Sequence, residues 1–408
     1  MGTTTIAASL VDPDNGARLA ASGALNPQHP WGADVLARLT AGADPEILRA
    51  MQHALAREME RLAEALLASA GARPDELDRI AVAGNPSMET IALALPVESL
   101  AHPPFRPLFS AGRSVSAREL GWSRAYPAYL LPLPGGFVGG DLLAFLFGMT
   151  EAPVAGTLFL DVGTNAEIAL YDGERYLATS AAAGPAFEGG NLKCGMAALP
   201  GAVSGVRIEG DRLVLTTIAD APPCGICGTG VLEAVAALLE CGVVDATGRL
   251  LPAAEIDSNL GNRVREVNGV PAFVLHRDAK GTVFVDQEDI RALQLAKGAL
   301  RGGMEILMGK AGLAPDDLSR VVLTGSFGAV LSPEALKKVG IFNEKMVRIT
   351  GFTREGALAG VELLLLSADG PERMEELAQK VRVIPLSGTP LFEKHFLAHI
   401  DFPKKTED

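Results

Sequence analysis

An internal repeat constrains this 408-residue chain more than any other feature. The stretch GARPDELDRIAVAGN at 71–85 shares its Gly, Pro, Asp, Leu and Arg positions with GLAPDDLSRVVLTGS at 312–326. A run with apolar residues at helical spacing precedes each copy, at 45–70 and 288–311. Each copy therefore predicts a helix that ends at glycine, a Pro-Asp turn, and a strand that ends at glycine. Repetition of this pattern predicts a duplicated α/β fold.

The beginnings of the two halves support the duplication. Residues 1–18 predict a turn, a strand and a hairpin at DNG, and residues 158–176 predict the same order after a first strand, LFLD. We expect a first lobe at 1–137, a second lobe with inserted β segments at 138–402, and a short tail at 403–408. Facing lobes of this kind often enclose a ligand in the cleft between them.

The first copy has no counterpart of the strand LFLD, because Met1 stands where Val162 stands in the second copy. We interpret this difference as the loss of an upstream strand, which would have carried a twin of Asp161. A natural chain that dispenses with this strand is the alternative.

Charge and hydropathy exclude several classes of partner. The formal net charge of −13, with lysines and arginines scattered, argues against nucleic acid and acidic membranes. No signal peptide is visible at the start. The most apolar stretch, at 129–149, contains prolines, glycines and Asp141, which argue against a membrane span. We expect a cytoplasmic protein that binds neither nucleic acid nor membrane.

The four cysteines leave two interpretations open. Cys224 and Cys227 form a CGIC motif, which is typical of half a zinc or iron–sulfur site. Cys194 and Cys241 are far apart in sequence and make a poor second half. We favour four reduced thiols and no redox centre in this chain.

DVGTNAE at 161–167 is the strongest chemical motif. It follows an apolar strand, and Gly163 allows the backbone to approach a phosphate closely. Thr164 and Asn165 offer hydrogen-bond donors, and Asp161 offers a ligand for Mg²⁺, directly or through water. A plain hairpin turn is the alternative.

Two further glycine-rich stretches are weaker candidates. TGSFG at 324–328 ends a strand and favours a nucleoside or phosphate at a helix N-terminus, with an ordinary β–α connection as the alternative. In the small-residue stretch 180–203, Gly184 precedes Glu188, which is either a magnesium or water-positioning group or a solvated loop residue. Asn85, in AGNPSM, either binds a ligand or caps a helix.

The order of these motifs resembles the ASKHA superfamily of acetate and sugar kinases, actin and heat-shock chaperone ATPases. Its two phosphate turns are matched by Gly2-Thr3-Thr4 and Asp161-Gly163-Thr164, and its adenosine turn by residues 323–328. Its connecting helices are matched by 138–148 and 356–366.

Within this superfamily the chain resembles the reductive activators of corrinoid proteins over nearly its whole length. The motifs that carry this resemblance are GTTTIAASLVD, NPQHPWGADVLARL, AGNPSM, PPFRPLF, DVGTNAEIAL, AAAGPAFEGG, CGMAALPGA, GICGTG, DIRALQLAKGALR and TGSFG. The resemblance implies an ATPase that drives reduction of a Co(II) corrinoid to Co(I). Because that reduction is very unfavourable, binding must distinguish the states of the corrinoid energetically.

The motifs and the resemblance together give roles to individual residues. Asp161 and Glu188 are the candidate catalytic residues, and Asp161 is the candidate ligand of Mg²⁺. The candidate ATP-binding residues are Gly2, Thr3, Thr4, Gly163, Thr164, Asn165, Gly184, Gly325, Ser326 and Gly328.

The chain departs from the pattern of these activators in two places. It has none of the cysteines of their iron–sulfur domain, and no Asp precedes Gly2. We therefore expect the ATPase portion alone, served by a separate ferredoxin-like donor and acting on a corrinoid protein. The resemblance also implies a homodimer. A small-molecule kinase, with Asp141 or Glu188 as base, and a non-catalytic corrinoid-protein-binding module are the alternatives.

Overall fold

A computed structural model describes residues 1–325 and 331–404 of the chain. Two compact units make up the chain, and each consists of three separate segments. The segments of unit 1 are Met1–Pro153, Gly173–Thr179 and Glu355–Ile384. The segments of unit 2 are Val154–Asp172, Ser180–Arg354 and Pro385–Asp408. The predicted lobe boundary between residues 137 and 138 stays a prediction.

The α-helices range from four to 26 residues in length. They are α1 (Val35–Ala41), α2 (Pro45–Ala70), α3 (Pro86–Ala92), α4 (Glu98–Ala101), α5 (Gly140–Phe147), α6 (Gly228–Glu240), α7 (Gln287–Ala311), α8 (Pro333–Lys338), α9 (Glu344–Ile349), α10 (Gly356–Leu366), α11 (Gly370–Gln379) and α12 (Pro390–Ala398).

The strands are shorter, from two to eight residues. They are β1 (Thr5–Val11), β2 (Arg18–Leu25), β3 (Ile80–Val82), β4 (Arg113–Ser116), β5 (Pro127–Leu130), β6 (Thr157–Val162), β7 (Ala166–Tyr171), β8 (Tyr176–Ala181), β9 (Ala202–Glu209), β10 (Arg212–Thr217), β11 (Gly225–Ile226), β12 (Val264–Val267), β13 (Val270–Arg277), β14 (Thr282–Asp286), β15 (Arg320–Thr324), β16 (Thr350–Phe352) and β17 (Val381–Val383).

The two long helices of the repeat, α2 and α7, begin and end as their sequences predict. Asp44 caps α2 by accepting from two backbone amides of its first turn, and Asp286 and Asp289 form a reciprocal capping box at the start of α7. Gly71 and Gly312 end the helices in the left-handed region, with φ of 69° and 70°. The predicted helices at 45–70 and 288–311 are confirmed.

The rest of the repeat is also confirmed. A 3₁₀ turn follows each helix, at Pro74–Glu76 and at Pro315–Asp317. A short strand follows each turn: β3 in unit 1 and β15 in unit 2. A helix, a 3₁₀ turn and a strand therefore recur in the same order in the two halves of the chain.

Unit 1 is built on small sheets. β1 and β2 form an antiparallel hairpin around the predicted DNG turn. β3 is parallel to β5, which is antiparallel to β4, and β8 pairs with β17. One apolar core joins α2 to β1, β3 and β5 and includes Ile6, Leu55, Leu62, Val82, Leu120 and Leu130.

Unit 2 contains a mixed sheet and two inserted three-stranded sheets. β15 is parallel to both β16 and β6, and β6 is antiparallel to β7. Leu158, Phe159 and Leu160 of β6 are almost completely buried, as its apolar sequence predicts. The inserted sheets have the strand orders β10-β9-β11 and β12-β13-β14.

Among the helices described here, none is both long enough and apolar enough to cross a membrane.

Candidate functional site

The candidate site of unit 2 lies at the end of β6, where a tight turn leads into β7. The ladder pairs Asp161 with Glu167 and Val162 with Ala166, so residues 163–165 form the connection. A Cβ atom placed on Gly163 would meet atoms no closer than 3.4 Å. The turn therefore leaves room beside Gly163 for a group to approach the backbone.

Glu188 lies against this turn. The Thr164 hydroxyl donates a hydrogen bond to Glu188 Oε2, and Glu188 Oε1 would be 3.8 Å from a Cβ on Gly163. The Gly184 amide donates to the Thr164 carbonyl oxygen at 2.9 Å. Two candidate stretches that are separated in sequence, 161–165 and 184–190, thus meet in the folded unit.

Glycines hold the loop that carries Glu188. The loop is a short 3₁₀ helix, Pro185–Glu188, between Gly184 at φ 74° and Gly189 at φ 80°. These positive φ values strain any residue with a side chain, so glycine suits both positions. The backbone of this loop is consequently fixed on both sides of Glu188.

The first turn of α6 packs directly on the same loop. A Cβ on Gly228 would lie 1.8 Å from the Phe187 carbonyl oxygen, a distance that no side chain tolerates. The CGICGTG glycines therefore bring a helix N-terminus against the Glu188 loop. The partial positive charge of that N-terminus favours a nearby carboxylate or phosphate.

A parallel strand places a second motif at the same sheet edge. Thr324, the last residue of β15, is in register with Asp161. A Cβ on Gly325 would lie 3.4 Å from the Val162 carbonyl oxygen. The beginning of the TGSFG motif therefore lies beside the DVGTN turn, while Ser326 and Gly328 lie outside the described residues.

The candidate turn of unit 1, Gly2–Thr4, is held by hydrogen bonds within its own unit. The Gly2 amide donates to the Thr5 carbonyl oxygen at 2.8 Å. The mostly buried Thr3 hydroxyl accepts from Asn85 Nδ2 at 3.1 Å. The Asn85 side-chain oxygen accepts from the Met88 amide at 3.0 Å, so Asn85 caps α3, as one of its two sequence interpretations predicts.

Sequence reasoning missed the buried acid Glu89 in unit 1 and named the half-buried Asp141, which acts on Glu89 electrostatically, only as a candidate base of a kinase. Glu89 Oε1 accepts from the Gly84 amide at 2.9 Å, while its Oε2 has no hydrogen-bond partner among the described residues. Burial raises the pKa of Glu89 well above its usual range and also raises the pKa of Asp141. A charged residue inside the otherwise buried helix PSMETIA was the signal available in the sequence.

Within the part of the chain that the structure describes, the four cysteines form no disulfide. Cys224 is exposed, and its sulfur lies 3.8 Å from that of Met196. Cys227 is buried, with its sulfur 3.1 Å from the Thr229 hydroxyl oxygen. The two thiols of the CGIC motif thus have different surroundings.

Comparison with known protein families adds to this geometry. Residues 155–408 match the family described as the C-terminal domain of RACo, the ASKHA domain, and residues 1–150 match the RACo middle region. The chain belongs to the RACo family. The predicted resemblance to reductive activators and the predicted ASKHA fold are confirmed.

Individual relatives agree with this assignment. The chain is 28% identical, over 98% of its length, to the corrinoid activation enzyme RamQ of Eubacterium limosum, and covers 69% of that protein. It is 26% identical, over 65% of its length, to a [Co(II) methylated amine-specific corrinoid protein] reductase of Methanosarcina barkeri, and covers 49% of it.

A solved structure shows the same fold. It is a reductive activator for corrinoid, iron–sulfur protein, 27% identical, with a TM-score of 0.89 over 99% of this chain. This chain covers 65% of that protein. The relatives are therefore longer than the chain described here.

Proposed function

We propose that this chain is the ATP-binding portion of a reductive activase that drives reduction of a Co(II) corrinoid protein to Co(I). The likeness to a reductive activator along 99% of the chain is the observation that carries the proposal. The named relatives act on corrinoid proteins, so the partner proposed here is a corrinoid protein.

The residues at the edge of the unit 2 sheet fit a magnesium nucleotide. Asp161 and Glu188 supply carboxylate oxygens, and Thr164 supplies a hydroxyl. Oxygen ligands of this kind suit Mg²⁺, which keeps several waters and bridges phosphates. We assign Asp161 to the cation, Gly163 and Asn165 to phosphate oxygens, and Glu188 to orienting the attacking water.

The other predicted residues take supporting roles in this proposal. Gly2, Thr3 and Thr4 form a second phosphate-binding turn, and Gly325 begins the adenosine-binding turn. Gly184 allows the loop that carries Glu188 to reach Thr164. The roles of Ser326 and Gly328 rest on the sequence motif alone.

The reduction itself adds one electron to cobalt, from Co(II) to Co(I). We propose that a ferredoxin-like iron–sulfur donor supplies that electron. We propose that the chain acts in the cytoplasm as a homodimer. Its own contribution is to bind the corrinoid protein and to use ATP to favour the state that accepts the electron.

Anaerobic reduction of a Co(II) corrinoid protein tests this proposal. We expect this chain, with a reduced [2Fe–2S] ferredoxin supplied separately, to form Co(I) only when Mg·ATP is present. Glu188→Gln should slow the ATP-dependent rate by about a hundredfold, because a group that positions or activates water contributes on this scale. Absorption spectra of Co(II) and Co(I) follow the reaction.

Glu266→Gln is the matched control, because Glu266 is an exposed carboxylate of β12 in the same unit. It should leave the rate unchanged. Reduction at the same rate without ATP would contradict the proposed activity. Transfer of the γ-phosphate to a small alcohol or carboxylate would favour a kinase instead.

A further inference from the structure

A buried arginine in unit 1 forms no ion pair with any residue that the structure describes. Arg38, in α1, is 1% exposed. Its guanidinium donates to the Gly32 carbonyl oxygen at 2.9 Å and to Gln28 Oε1 at 3.5 Å, and it contacts Met88 Sδ at 3.6 Å. All of these acceptors are neutral. Within residues 1–325 and 331–404, Arg38 forms no ion pair with a carboxylate.

This arrangement is costly for a residue that serves packing alone. A buried charge without a counter-charge loses hydration that neutral acceptors only partly replace. Burial lowers the pKa of Arg38 to about 10, and the negative charge of Asp34 raises it by a smaller amount. The guanidinium is therefore charged at neutral pH. Asp34 itself caps α1 by accepting from the Ala37 amide at 2.8 Å.

Short contacts connect Arg38 to the turn at Gly2–Thr4. Met88 Sδ, which touches the guanidinium, lies 3.5 Å from Asn26 Nδ2. Asn26 Nδ2 donates to the Gly2 carbonyl oxygen at 2.8 Å, and the Asn26 amide donates to the Thr4 carbonyl oxygen at 2.8 Å. Asn26 therefore holds the turn at both of its ends.

Gln28 links the same groups from the other side. The backbone amide of Gln28 donates to Asn26 Oδ1 at 2.9 Å, and the side-chain oxygen of Gln28 accepts from Arg38. Asn26, Gln28 and Arg38 are all buried, and all lie in the motif NPQHPWGADVLARL at 26–39. The motif thus builds a polar support, with one uncompensated positive charge, behind the turn.

We propose that Arg38, acting through Gln28 and Asn26, is a positioning residue for the phosphates of ATP at the turn Gly2–Thr4. This inference rests on the proposed function, in which that turn binds phosphate. The support fixes the turn, and the guanidinium supplies a positive potential. Because the groups that accept its hydrogen bonds are neutral and little water surrounds it, the field of the guanidinium is weakly screened and reaches beyond its direct contacts.

Calorimetric titration of Mg·ATP and of adenosine separates this role from simple packing. We expect Arg38→Met to weaken Mg·ATP binding by about tenfold. A positive charge and a phosphate roughly 10 Å apart in a partly buried site attract each other strongly enough for a change of this order. Adenosine carries no phosphate, so its affinity should not change. Arg38→Lys keeps the charge and should restore part of the lost affinity. A merely structural residue would change both ligands alike.

Arg301→Met is the matched control. Arg301 is also buried but pairs with Glu305 at 2.6 Å in unit 2. Its replacement should leave the ratio of the ATP and adenosine affinities unchanged. If folded Arg38→Met kept the same ratio of Mg·ATP affinity to adenosine affinity as the unaltered chain, the inference would be overturned.

Gln28→Glu provides a second variant if Arg38→Met does not fold. It places a carboxylate where Gln28 Oε1 now meets the guanidinium, so it cancels the charge and keeps Arg38 in place. We expect the same selective loss of Mg·ATP affinity, and an unchanged ratio would again overturn the inference. If the unaltered chain bound adenosine but not Mg·ATP, the proposed function would fail, and this inference with it.

Discussion

At the scale of single residues, the acids of this chain differ most in what surrounds them. Glu188 meets a hydroxyl and the open side of a glycine turn, an environment suited to a cation or a reacting water. Glu89 is buried, and one of its oxygens accepts no hydrogen bond from the residues that the structure describes; burial favours its neutral form. The same type of side chain thus meets two different environments in one protein.

Asp289 carries a prediction about pH. Burial raises the pKa of Asp289 from 3.8 to about 6. The hydrogen bonds that its carboxylate accepts from the backbone amides of Lys193 and Asp286 lower the pKa and only partly offset this rise. A carboxyl with a raised folded-state pKa binds its proton more tightly in the folded state. Its contribution to stability is therefore present below pH 4 and is lost as the pH rises through about 6.

Asparagine does not ionise, so Asp289→Asn removes the loss of stability that accompanies ionisation of Asp289. The free energy of unfolding of the variant should therefore rise relative to that of the unaltered chain between pH 4 and 6.5. The relative change should not exceed about 3 kcal/mol, the equivalent of a shift of about two pKa units. Urea unfolding across this pH range measures it, with the exposed Asp257→Asn as control. Parallel pH profiles for the two forms would contradict the assignment.

At the scale of elements, glycine positions distinguish close packing from open surface. Gly228, at the start of α6, leaves no space for a Cβ beside the Phe187 carbonyl oxygen. Gly309, near the end of α7, has nothing within 4 Å of that position. The same substitution should therefore have opposite effects at the two sites.

Gly228→Ala should push α6 away from the Glu188 loop and lower the free energy of unfolding by about 1–3 kcal/mol. Gly309→Ala should raise it by about 0.5–1 kcal/mol, because alanine restricts the unfolded chain and favours helix. Denaturant unfolding of both variants gives the comparison. Equal stability of the two would show that the contact at Phe187 does not constrain α6.

At the scale of the whole molecule, local patterns predicted much of the structure, and tertiary contacts account for what they missed. The caps of α2 and α7 and the turn after β6 follow from short-range chemistry that the sequence displays. The contact between Thr164 and Glu188 depends on how two loops pack, which no local pattern encodes. Arg38 was missed because an arginine in a short helix is normally exposed.

Nucleotide binding should also appear in the stability of the whole chain. A ligand that binds only the folded state stabilises it by about 2.7 kcal/mol at about 100 times its Kd. We expect Mg·ATP to raise the Tm by several degrees, and Asp161→Asn to abolish this rise, because Asp161 is the proposed Mg²⁺ ligand at the edge of the unit 2 sheet. Differential scanning calorimetry measures both. Asp257→Asn, an exposed acid of the same unit, should keep the full rise. An equal rise in folded Asp161→Asn would remove Asp161 from the site and leave the cation to other oxygens.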